Sequence, residues 1–183
     1  MHERPSIPAD LQAVVDFHGH LCPGLLIGYR AAKVAAQALD VGASGDEELV
    51  LIAENDSCSV DAFQALLSTT FGKGNLFFVD NGKQVFTLGD RISGRAVRVS
   101  LRFDALGASE KSPGEKIDLL LERPASELFH VNPVQLSLPS RASVYQTVRC
   151  SRCQEGVMVT RAVIEGDRTY CGPCAQDLGL AGR

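Results

Sequence analysis

Two C-x-x-C pairs stand near the end of the 183-residue chain and restrict its fold more than any other feature. Cys150-x-x-Cys153 and Cys171-x-x-Cys174 are separated by 17 residues, a spacing suited to four thiolates on one tetrahedral ion. Four sulfurs from two remote stretches must then meet at a point. The segment that carries them is too short to bury a core of its own, so bound metal would supply its folding energy. Residues 157–161 and 168–170 flank Gly166 and predict a β-hairpin between the pairs. Residues 175–178, after Cys174, predict the start of a helix. Knuckle, hairpin, then a knuckle that opens a helix is the layout of a treble-clef finger. A closed four-sulfur shell leaves no coordination position free, which makes the expected zinc structural. Composition shifts at the same place: net charge is +2 from Arg141 onward, against −6 for the first 140 residues. The expected domains are therefore a core over 1–140 and a finger over 141–183.

The overall charge of −4 argues against general nucleic-acid binding and against attraction to an anionic membrane. No apolar run approaches the roughly 20 residues that span a bilayer. Met1-His2-Glu3-Arg4-Pro5 lacks the charged-then-apolar order of a signal peptide. These features predict a cytoplasmic protein, where six cysteines favour metal ligation or catalysis over disulfides.

The second chemical feature is Phe17-His18-Gly19-His20-Leu21-Cys22-Pro23-Gly24. Pro23 suits the first turn of a helix, because its missing N–H would have no helical partner there. Cys22 is then expected at the helix N-cap, where the positive end of the dipole favours thiolate. His18 and His20 lie just upstream, where Gly19 reverses the chain. Further on, residues 48–54 predict a buried strand that ends in Asn55-Asp56-Ser57-Cys58-Ser59-Val60-Asp61, and residues 61–67 predict a helix. Cys58 is thus placed at a second helix start. His18, His20, Cys22 and Cys58 would make a mixed nitrogen and sulfur set suited to zinc, iron, nickel or copper. Asp61 or Asp56 would add a ligand, an orienting partner or a base. The plain alternative is a capping His18, a solvated His20 and a Cys22 that is merely buried.

The remaining segments define the fold class. Residues 25–39 are Ala-rich and helical in propensity, with small residues from Gly28 onward that permit close packing. Residues 76–80 and 84–88 flank Asn81-Gly82, a hairpin signal. Residues 95–103 alternate as a half-buried strand, with Arg95, Arg98 and Arg102 expected on one solvated face. Residues 114–123 predict a short helix. This order predicts an α+β core of helices packed on a largely antiparallel sheet.

Three chemistries fit the front site. A metal with an open position would activate water or a substrate oxygen. Cys22 would act as a nucleophile with His18 or His20 as base. Cys22 and Cys58 would form a redox pair if they lie within disulfide reach. Gly72-Lys73-Gly74-Asn75 offers N–H groups and a cation but lacks the full P-loop pattern; turns with solvated Lys73 and Lys83 are the simpler expectation.

The residues from Phe17 to Gly24, with Gly28 and Arg30, resemble the opening signature of the FmdE family, which is named after formylmethanofuran dehydrogenase. Cys58-Ser59-Val60-Asp61-Ala62 is similar to its second motif. Thr70-Phe71-Gly72-Lys73-Gly74-Asn75-Leu76 with Asp80-Asn81-Gly82-Lys83 is similar to its third, and the tail resembles the finger of some members. The resemblance implies an α+β core that forms a homodimer. It also implies a core site at His18, His20, Cys22, Cys58 and Asp61, with metal in at least some members. A second transition metal, zinc first, is expected there beside the tail zinc. The family name links it to a molybdenum or tungsten partner enzyme of one-carbon and redox metabolism, but transfers no reaction. Enzyme and non-enzyme both stay open. The non-enzymatic form is an accessory or regulatory protein that handles or senses metal and docks a partner through the finger. Nucleic acid is the less favoured partner, despite arginines at 149, 152, 161 and 168.

Overall fold

The computed structural model describes residues 7–107 and 111–180; the stretch Met1 to Pro5, read above for a leader, lies outside the described residues. The chain divides into two compact units, Met1–Ala142 and Ser143–Arg183.

The first unit is α+β, as expected. Its elements run α1 (Ala9–His18), α2 (Pro23–Leu39), β1 (Leu49–Ala53), α3 (Ser59–Leu67), β2 (Leu76–Phe78), β3 (Val85–Asp90), β4 (Ala96–Leu101), α4 (Pro113–Glu122), α5 (Ala125–Leu128) and β5 (Phe129–Val134). The five strands form one sheet in the order β2-β1-β3-β4-β5. The β1–β2 pair is parallel; β1–β3, β3–β4 and β4–β5 are antiparallel. Central β3 is buried at all six positions. Pro133 is accommodated because β5 is an edge strand, with one side free of ladder bonds.

The hairpin expected at Asn81-Gly82 does not form. β1 lies between β2 and β3. Parallel β1 and β2 need a crossover, and α3 supplies it. The segment after β2 then wraps the far end of β1: Val79 N–H donates to the Ala53 carbonyl and Lys83 N–H to the Glu54 carbonyl, each at 2.9 Å. Asn81-Gly82 is a turn over a strand end, with Gly82 at φ +62°, rather than a link between paired strands.

Helix α2 carries the core. Leu25, Leu26, Ala31, Ala32 and Ala35 are fully buried, as are Leu51, Phe63, Phe86, Leu88 and Val99. Phe63 of α3 stacks on Phe86 of β3 with ring centroids 4.6 Å apart. Arg30 leaves α2 to donate to the carbonyls of Leu120, Leu121 and Arg123, at the unsatisfied end of α4.

The three strand arginines do not share a solvated face; each ties two elements together. Arg95 donates to the Ala38 and Leu39 carbonyls that end α2. Arg98 pairs with Glu54 at 3.1 Å, and Arg102 donates to the Ser126 carbonyl. Lys73 is spent on structure as well, donating to the Ser44 carbonyl at 3.3 Å, while buried Asn75 serves Thr70 N–H and the Leu49 carbonyl. Lys83 is exposed.

The same loop holds Glu48, whose carboxylate accepts from the Ser44 hydroxyl at 2.7 Å and from Asp46 N–H at 2.8 Å. The Ser44 hydroxyl, then the backbone N–H groups, bring its pKa down from 4.5 to about 2. The folded value is depressed, so this stabilisation is present above pH 4.5 and lost as pH falls through about 2. Glu48→Gln is expected to unfold more easily than wild type at neutral pH, with the two unfolding curves converging near pH 2.

The second unit contains β6 (Thr147–Arg149), β7 (Gly156–Met158), a 3₁₀ turn (Val159–Arg161), β8 (Val163–Glu165), β9 (Arg168–Tyr170) and α6 (Gly172–Asp177). The hairpin around Gly166 is real but pairs β8 with β9. Residues 157 and 158, expected in that hairpin, pair instead with β6 across the first knuckle. The last helix starts at Gly172, before Cys174, because Pro173 fits its first turn. Among the described residues, no helix is long and apolar enough to cross a membrane.

Candidate metal centres

In the tail the four sulfurs meet. The Sγ atoms of Cys150, Cys153, Cys171 and Cys174 all lie within 4.8 Å of one another. Cys153 and Cys171 are 3.8 Å apart, which is the separation, roughly 3.8 Å, of two sulfurs bound tetrahedrally at 2.3 Å to one zinc. Cys171 N–H donates to the Cys150 sulfur at 3.4 Å. That bond is the main reason the Cys150 pKa falls to about 6. The Glu155 backbone N–H favours the Cys153 thiolate, but desolvation and the three neighbouring sulfurs prevail and push its pKa up to about 12. Contact with Cys171, then desolvation, raises that of Cys174. Four crowded sulfurs that resist joint ionisation are the donor set that a dication relieves.

The front site is built where α1 ends and α2 and α3 begin. Gly19 closes α1 at φ +99°, a left-handed cap that a side chain would strain. The chain then turns so that the His20 ring lies 4.7 Å from the His18 ring. Cys22 is the N-cap of α2, with Pro23 in the first turn, and its sulfur accepts from Leu25 N–H at 3.4 Å. His18 Nε2 lies 4.0 Å from that sulfur. Two such ligands on tetrahedral zinc would stand roughly 3.5 Å apart. One ligand atom each from His18, His20 and Cys22 falls within 4.8 Å of the others.

Cys58 stands at the N-cap of α3 without making a cap bond. It is outside the trio but beside it. A Cβ placed on Gly24 would meet Cys58 Cβ at 3.2 Å and the sulfurs of Cys58 and Cys22 at 3.9 and 4.0 Å, so both sulfurs border the space that this glycine leaves. Desolvation first, then contact with Cys22, raises the Cys58 pKa.

Asp61 faces the same point from the first turn of α3. Its Oδ2 accepts from His18 Nδ1 at 2.7 Å, and the His18 side chain is only 12% exposed. A carboxylate can only accept, so the imidazole proton sits on Nδ1 and the Nε2 lone pair turns toward Cys22. Asp56 makes no bond to this group among the described residues. Behind Cys58, Asn55, Ser57, Ser59 and Gln84 form a closed polar network with bonds of 2.7–3.1 Å, and Asn55 anchors it to the Lys83 carbonyl at 2.7 Å. Motif spacing does not reveal this network. The one signal for it in the sequence is the density of cap residues after β1.

Fold and sites together define an α+β protein with a five-stranded, largely antiparallel sheet and a four-cysteine cluster able to hold a metal ion. More narrowly, the chain belongs to the FmdE family. The family model, described as "FmdE, Molybdenum formylmethanofuran dehydrogenase operon", matches residues 17–130. The match starts at the front motif and takes in Cys58 and Asp61, but stops short of the four tail cysteines.

An Archaeoglobus fulgidus protein named "Probable S-adenosyl-L-methionine-binding protein" is 29% identical over 176 residues, covering 80% of this chain and 48% of that protein. The chain thus spans about half the length of this curated relative. The crystal structure of an FmdE-like protein of tungsten formylmethanofuran dehydrogenase from Syntrophus aciditrophicus is similar in fold, with a TM-score of 0.70 and 24% identity over 93% of this chain and 92% of that one.

Proposed function

We propose that this FmdE-family chain is a cytoplasmic, homodimeric metal protein with two centres of different kinds. The tail cysteines hold a structural zinc in a treble-clef finger. His18, His20 and Cys22 hold a transition ion in the core, zinc first, with Cys58 beside it as a fourth ligand or thiol. The carrying observation is the convergence of three donor atoms within 4.8 Å, one of them on a histidine oriented by Asp61 at 2.7 Å. Metal-ligating histidines usually donate their second N–H to a carboxylate in this way.

The division of labour follows from the residues. His18 and His20 present ring nitrogens, Cys22 presents a sulfur already receiving an N–H bond, and Asp61 keeps the His18 proton at Nδ1. An ion with an open position there would act as a Lewis acid on water or on a substrate oxygen. The operon in the family description supports a role beside a formylmethanofuran dehydrogenase-type enzyme in one-carbon or redox metabolism. It equally supports an accessory form, in which the finger docks that enzyme. In the finger, Arg152 is paired with Asp177 at 2.8 Å and Arg149 donates to the Gln154 carbonyl. With two of the four arginines so engaged, protein docking is favoured over nucleic acid.

Elemental analysis of the full-length protein tests the two-centre reading. Two ions per chain are expected, falling to one in Cys22→Ala and in His18→Ala. Two ions retained in both variants would refute the core centre.

A further inference from the structure

Asp61 can orient His18 only if the carboxylate itself is held, and the structure shows what holds it. Gln64, one turn further along α3, donates from Nε2 to Asp61 Oδ1 at 3.1 Å. Positions i and i+3 share a helix face, so the two side chains meet without straining the helix. The amide orientation follows from chemistry: turned over, its oxygen would oppose a carboxylate oxygen, and both only accept.

The bonds run in series, from Gln64 Nε2 to Asp61 Oδ1, from Asp61 Oδ2 to His18 Nδ1, with His18 Nε2 4.0 Å from the Cys22 sulfur. Both carboxylate oxygens are occupied. The carboxylate plane is therefore fixed at two points, and with it the imidazole plane. Without Gln64, Asp61 keeps its bond to His18 but loses the second anchor and gains freedom about its side-chain torsions.

We infer that Gln64 is a positioning residue of the core centre, acting through Asp61 to keep His18 in the Nδ1–H form with Nε2 presented to a bound ion. This rests on the reading of His18, His20 and Cys22 as a metal centre. It names a residue outside the Cys58-Ser59-Val60-Asp61-Ala62 motif that the centre depends on.

The test uses the full chain with its tail metal in place. Gln64→Leu keeps size and helix propensity and removes the donor. Gln64→Glu keeps shape and places an acceptor against Asp61. Zinc affinity of the core centre is measured by chelator competition, and the His18 tautomer by ¹⁵N NMR of the protein without core metal. Gln64→Leu is expected to weaken zinc by roughly tenfold, within the range for partners behind a metal ligand, and to mix the two tautomers. Gln64→Glu is expected to do more of both. Wild-type affinity and an unchanged Nδ1–H tautomer in both variants would overturn the inference. Should His18→Ala bind core zinc like wild type, the metal reading fails instead, and the tautomer measurement alone decides the role of Gln64.

Discussion

Treating the full-length protein with a strong zinc chelator is expected to unfold residues 143–183 and leave the first unit folded. The reason lies in how little the tail can bury. Its apolar cluster consists of Cys150, Tyr170, Cys174 and Ala175, with Val163, Cys171 and Leu180 packed against it. Two of those four buried residues are the cysteines themselves. Apolar burial is worth roughly 25 cal/mol per Å², and a unit of about 40 residues usually needs disulfides or metal to fold. All six cysteines are free thiols. Metal remains, and structural zinc contributes on the order of 10–16 kcal/mol in small fingers. Limited trypsin digestion reads the outcome directly, because Arg149, Arg152, Arg161 and Arg168 lie inside the unit. Cleavage at these sites should be slow in the loaded protein and fast after chelation or in Cys150→Ser. A tail that resists trypsin equally in all three would mean that metal does not hold it. Far-UV signal from the α+β unit should barely change, which separates local loss from global unfolding.

This centre was the most legible part of the chain, because its information is local: two short spacings and the distance between them set the geometry. Cys22 was legible for the same reason, since Pro23 marks a helix start whatever surrounds it. Strand partners were not. Asn81-Gly82 is a good turn wherever it occurs, and only the crossover through α3 shows that β1, not β2, lies beside β3. Arg95, Arg98 and Arg102 were misread because a basic residue in a half-buried strand looks the same whether it meets water or a carbonyl at a helix end. Within the front site, residue types pointed to His18, Cys22 and Asp61. Which carboxylate reaches which nitrogen depends on how α1 and α3 approach, and that depends on a residue with no side chain.

Gly28 is that residue, and Gly28→Ala is expected to be among the most damaging single substitutions in the first unit. A Cβ built there lies 2.0 Å from the Ser59 carbonyl oxygen and 2.6 Å from Ser59 Cα. These are backbone atoms, so no side chain can swing aside. Helix α3 would have to retreat by roughly 1 Å or more to restore ordinary contact, and with it Phe63 on Phe86, the buried Ser59 network and Asp61. Overpacking of this kind costs typically about 1–3 kcal/mol, occasionally more, and a backbone clash belongs at the upper end. At about 3 kcal/mol the midpoint of thermal unfolding should fall by roughly 6–12 °C. Gly42→Ala serves as the control, because nothing lies within 4 Å of its Cβ position; a change within about 0.5 kcal/mol is expected there. The front site adds a second readout. The 2.7 Å bond between Asp61 and His18 joins α3 to the end of α1, so a retreat of α3 stretches it beyond hydrogen-bonding length. Gly28→Ala protein that still folds at low temperature should therefore bind core zinc more weakly, although residue 28 touches no proposed ligand. If Gly28→Ala matches Gly42→Ala in stability, α3 is free to move on α2, and the close helix crossing no longer explains how a carboxylate on one helix comes to orient a histidine on another.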